Sequence, residues 1–111
     1  MPRLKRQRPR EIVDDWPRSP SSRIDDAKWE KVPDKPLDER LIGPAHAARQ
    51  FASNLREAIE GFTMRDVAEL CQLDHGQIVR ILNGDVWPDI VTITLLEDGL
   101  GVDLFPRRSE R

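Results

Sequence analysis

The chain has one cysteine, two histidines and no apolar run approaching the roughly 18 residues that a membrane span requires. Cys71 therefore has no partner for an intrachain disulfide. Its place among apolar residues reads as a small core side chain rather than a reactive thiol. His46 has no second histidine or cysteine at metal-ligand spacing beside it and reads as an exposed polar residue, and no metal is expected. No paired carboxylates and no nucleophile–base set stand out, which argues against an enzyme and gives no reason to expect a cofactor. The N-terminus is basic, but Pro9 and charged residues stand where a signal peptide would place its apolar core. A cytoplasmic protein is the expectation.

With 111 residues, 38% apolar and 34% charged, the chain has room for one small domain and an extension. The net charge of -2 conceals a division. Residues 1–10 carry Arg3, Lys5, Arg6, Arg8 and Arg10 and no acid. Residues 44–105 carry only Arg49, Arg56, Arg65 and Arg80 against ten acids, a balance of -6. A surface meant to lie on phosphate would carry the opposite sign.

Residues 63–82 organise the rest. Val67, Ala68 and Cys71 form one apolar stripe of a short helix, and Thr63 with Asp66 three residues on is placed to cap it. Ile78, Ile81 and Leu82 repeat the pattern on a second helix, with Asp74 placed as its cap. Gln72 and Leu73 leave room only for a tight turn between them. This is a helix-turn-helix pattern.

Around it, the spacing predicts a helix from Pro44, with Ala48, Phe51, Ala52, Leu55, Ala58 and Ile59 as its stripe and Gly61 as its stop. Asn83-Gly84 ends the second helix of the pair with a residue at positive φ. The run Val91-Thr92-Ile93-Thr94 suits a strand by propensity. The helical spacing of Ile90, Ile93, Leu96 and Leu100, with Asp89 as cap, predicts helix instead. Residues 1–10 read as a disordered basic arm and residues 11–43, with four prolines, as mostly irregular. Residues 24–31 and 37–41 could each form a helical turn. Trp16 and Trp29 have two readings: folded back onto the domain, or anchors for another protein.

Gly61-Phe62-Thr63, Val67-Ala68, Leu73-Asp74, Ile78, Ile81, Asn83-Gly84, Pro88-Asp89-Ile90 and Leu100-Gly101-Val102 together resemble the Cro/phage-repressor (xenobiotic-response-element) helix-turn-helix family. The resemblance spans about residues 44–105. It implies an all-α bundle of about five short helices, with residues 1–43 as extension and 106–111 as a basic tail. It also implies a DNA-binding transcriptional regulator of phage or bacterial type, repressor-like, on double-stranded DNA. In the family the second helix of the pair enters the major groove. The base-reading positions are then His75, Gly76, Gln77 and Arg80, and the backbone contacts Thr63, Met64, Arg65 and Asn83. Val102, Leu104 and Phe105 match the region many relatives use for a homodimer.

The sequence departs from the family in four places. Met64 stands where a glutamine is frequent, Asp85 and Val86 where basic residues are, Gln72 where the turn often has glycine, and Glu97 where a small apolar residue is usual. The first two weaken the expected grip on the DNA backbone, so the basic arm is expected to supply most of the electrostatic affinity. The acidic surface and the tryptophans support an alternative, a protein-interaction module of the same fold, such as an antitoxin.

Overall fold

The computed structural model of the protein describes residues 6–17 and 38–111. Five α-helices follow one another: α1 (Pro9–Ile12), α2 (Ile42–Ala58), α3 (Met64–Cys71), α4 (His75–Leu82) and α5 (Ile90–Leu100). Short 3-10 turns at Glu39–Leu41 and Arg108–Glu110 flank the bundle, and no strand occurs among the described residues. The all-α expectation holds, including helix rather than strand over residues 91–94.

The core is the meeting of the predicted stripes. Phe51 and Leu55 of α2, Val67 and Cys71 of α3, Ile78, Ile81 and Leu82 of α4, and Leu96 of α5 close on one another, with Leu104 beneath them. Each such aliphatic or aromatic side chain contributes about 1.5–3 kcal/mol by leaving water. Cys71 lies inside this cluster, where burial pushes its thiol pKa up. Gly99 lets α5 approach α3, since a methyl group there would sit 2.7 Å from Cys71 Sγ and 2.9 Å from Leu70 O.

Three glycines end local structure with left-handed backbone: Gly61, Gly84 and Gly101. Gln72 does the same without being glycine, at φ 55°. It closes α3, and Leu73 N then donates to Ala68 O at 3.0 Å. The departure from the usual glycine is therefore met by a strained glutamine, at about 1–2 kcal/mol.

A second, smaller cluster was not foreseen. Ala45, Ala48 and Ala52 lie on a face of α2 apart from Phe51 and Leu55, and the shallow surface they leave is filled by Val13 and Trp16. Trp16 is 6% exposed and its indole N–H donates to Leu82 O at 2.8 Å. Trp87 Nε1 donates to Gln7 O at 2.8 Å, and Arg10 N to Gly84 O at 3.1 Å. Residues 6–17 are thus seated on the domain, which corrects the expectation of a disordered arm through residue 10. Proline and charge content alone suggested disorder, but Leu82, Gly84, Asp85 and Trp87, which hold the segment, lie 66 or more residues away in the sequence. Of the two readings of Trp16, folding back is the one observed. Trp29, the turn expected at 24–31, Arg3 and Lys5 lie outside the described residues. The turn expected at 37–41 forms at Glu39–Leu41 and leads into α2, which begins two residues ahead of Pro44.

Candidate nucleic-acid interface

The leading end of α3 is held by a reciprocal cap. Thr63 Oγ1 accepts from Asp66 N at 3.1 Å, and Thr63 N donates to Asp66 Oδ2 at 3.3 Å. The Thr63 hydroxyl keeps its own proton for an outside acceptor. Met64 is half-buried against the core, and Arg65 is exposed beside Glu69 at 3.8 Å.

α4 turns Ile78, Ile81 and Leu82 inward and leaves His75 and Arg80 exposed, with Gly76 and Gln77 half-exposed. Asp74 occupies the cap position, yet its side chain makes no cap bond. Its carbonyl accepts instead from Gln77 N at 3.1 Å and Ile78 N at 3.3 Å, correcting the expectation of a side-chain cap. Gly76 creates space for Arg80, because a Cβ there would stand 3.2 Å from Arg80 Nη1 and 3.1 Å from Asp74 Oδ2. The guanidinium therefore leans back toward the leading end of the helix. Gln77 reaches sideways, and its Nε2 donates to Thr92 Oγ1 of α5 at 2.9 Å.

The trailing end of α4 is covered. Leu82 O accepts from Trp16 Nε1 and, at 3.0 Å, from Arg56 Nη2. Desolvation lowers the pKa of the half-buried Arg56. Asn83 is 9% exposed, so of the four expected backbone contacts it is the one turned away from solvent. Asp85 stands where relatives often carry a cation, and here two cations come to it. Arg10 Nε lies 3.0 Å and Arg8 Nη1 3.6 Å from Asp85 Oδ1. Two of the five arm cations are thereby engaged within the chain, while Arg6 is exposed.

At the far side Leu104 is 1% exposed and belongs to the core, whereas Val102 and Phe105 remain on the surface. Glu97, the unexpected acid of α5, has a local purpose. Its Oε2 accepts from Leu104 N at 2.7 Å and Phe105 N at 3.2 Å, holding the segment that delivers Leu104 to the core.

Residues 54–105 match the family described as Helix-turn-helix. These residues are a helix-turn-helix domain of the Cro/phage-repressor type. No curated protein and no solved structure shows a significant match. The helix-turn-helix family is a DNA-binding one, and enzymatic activity is not typical of it. None of the described helices is long and apolar enough to cross a membrane, and no group of metal-ligating side chains occurs among the described residues.

Sequence reading placed His75, Gly76, Gln77 and Arg80 together; the first three open α4, while Arg80 stands in its last turn with its guanidinium reaching back over Gly76. It placed Asp89 as the cap of α5, as found, but missed Thr92 behind Gln77 and the pairing of Asp85 with Arg8 and Arg10. The first had a weak signal, a polar residue at an otherwise inward position of α5. The second had a clear one: an acid where the family pattern favours a base.

Proposed function

We propose that the protein is a sequence-specific transcriptional regulator, repressor-like, that sets the leading end of α4 in the major groove. His75, Gln77 and Arg80 contact base edges there, and Gly76 permits close approach. Arg80 suits guanine O6 and N7, and Gln77 suits adenine N6 and N7. Thr63, Met64 and Arg65, at the leading end of α3, would meet the DNA backbone. Asn83 is the weakest member of that set because of its burial. The observation that carries the reading is that, among the described residues, His75 and Arg80 are exposed while residues 6–17 sit at the opposite end of α4.

The electrostatic share of binding is small in this reading. Arg8 and Arg10 are already paired with Asp85, which leaves Arg3, Lys5 and Arg6 of the arm. Replacing these three by alanine lowers the slope of log affinity against log salt by roughly 3. Homodimerisation through Val102 and Phe105 would match a palindromic site.

Selection from a randomised DNA pool tests the proposal. An enriched motif whose guanine preference weakens in R80A, by about 1–3 kcal/mol, supports it. Failure to enrich any motif rejects it. The second reading, a protein-interaction module, draws on exposed Phe62 and Leu70 beside the acids Asp66 and Glu69. Trp16 no longer supports it, being buried within the chain.

A further inference from the structure

Gln77 is the one base-reading candidate whose side chain is already hydrogen-bonded within the domain, and its partner is buried. Thr92 is 2% exposed, on the first turn of α5. Its amide donates to Asp89 Oδ1 at 2.7 Å, which places the Asp89 carboxylate at the first turn of α5 beside it. The Thr92 hydroxyl oxygen accepts from a different neighbour. That neighbour is Gln77, whose Nε2 donates at 2.9 Å, so the carboxamide turns its nitrogen and not its oxygen toward Thr92.

We infer that Thr92, backed by Asp89, is a positioning residue that fixes which way the Gln77 carboxamide faces and so restricts it to adenine. This rests on the major-groove reading given above. A carboxamide has two N–H donors and one acceptor oxygen. With one donor committed to Thr92, a single N–H and Oε1 remain. Adenine offers one acceptor, N7, and one donor, the N6 amino group, which match that pair. Guanine offers two acceptors, N7 and O6, and would leave Oε1 facing another acceptor. A carboxamide released from Thr92 regains its second donor and can rotate, so guanine becomes acceptable.

The test compares the full chain with Q77A, T92V and T92S by selection from a randomised DNA pool. Thr92→Val keeps the shape and removes the hydroxyl, and Thr92→Ser keeps the hydroxyl. At the position where Q77A loses preference, T92V is expected to lose about tenfold of its adenine preference over guanine, with T92S close to the parent. The position read by Arg80 should be unchanged in T92V. Side-chain amide NMR of the free protein adds a readout independent of DNA. The Gln77 NH2 protons, unequal and slowly exchanging in the parent and T92S, should become equivalent to those of an exposed glutamine in T92V. An unaltered adenine preference in T92V, where Q77A loses it, overturns the positioning role alone. A parent protein that enriches no motif overturns the major-groove reading itself, and this inference with it.

Discussion

Replacing Gly84 by alanine tests how firmly residues 6–17 are seated. The perturbation has two parts. The backbone at Gly84 has φ +69°, a region that costs an L-residue about 1–2 kcal/mol. The new methyl would also lie 2.7 Å from Trp16 Cε2, 2.8 Å from Cδ2 and 2.9 Å from Arg10 Cβ. The indole cannot slide aside cheaply, because its N–H is bound to Leu82 O and its faces are enclosed by Val13, Ala45, Ala48 and Ala52. Its displacement approaches the cost of truncating a buried tryptophan, about 3–5 kcal/mol. The W16A variant removes that obstacle, leaving only the backbone penalty and the approach to Arg10. Urea unfolding of the parent, G84A, W16A and the double variant closes a thermodynamic cycle. The expected coupling is about 2–3 kcal/mol, with G84A costing only about 1–2 kcal/mol when Trp16 is absent. Sulfate in the buffer keeps the weakest variant folded by strengthening apolar burial. Additive losses in the cycle would refute the seating of Trp16 against Gly84.

Q72G should stabilise the domain by about 1 kcal/mol, because glycine adopts the left-handed turn without the Cβ penalty; the urea midpoint reports it. G99A should destabilise by about 1–3 kcal/mol despite alanine's better helix propensity, since α5 must move off Cys71 and Leu70 O; thermal unfolding decides the sign. E97A should cost about 1.5–3 kcal/mol and raise hydrogen exchange at the Leu104 and Phe105 amides above that of the remaining core. Asp89 has its carboxyl held below the ordinary 3.8, first by the Thr92 amide and then by its hydroxyl. Its contribution is thus present above that value and lost as pH falls through the lower folded pKa. Comparing the acid limb of unfolding in the parent and D89N should show a shallower loss in the variant.

Much of the bundle could be read from periodicity because its apolar stripes are local. Val67 and Cys71, Ile78 and Leu82, and Leu96 with Leu100 each repeat at helical spacing, and each turned inward or packed against the core. The stops were equally local, as positive φ at Gly61, Gly84 and Gly101 bears out. What escaped was held together over distance. Trp16 had no visible partner, because its acceptor is a backbone carbonyl 66 residues onward. Glu97 looked out of place because the amides it accepts, at Leu104 and Phe105, have no side-chain signature. Leu104 was grouped with Val102 and Phe105 as a surface patch, since three apolar residues near a chain end do not reveal which one turns inward. At the leading end of α4, residue type suggested chemistry but not orientation. The lean of Arg80 over Gly76 and the tie of Gln77 to Thr92 depend on coordinates.

α4 is supported like a beam at both ends. Gln77 ties its leading turn to α5, and the Leu82 carbonyl joins its last turn to α2 and to the N-terminal segment at one oxygen. The orientational freedom of an eight-residue helix is therefore surrendered when the chain folds, before any duplex arrives. A short helix of low intrinsic persistence can then meet a groove as a rigid body, its pitch already decided.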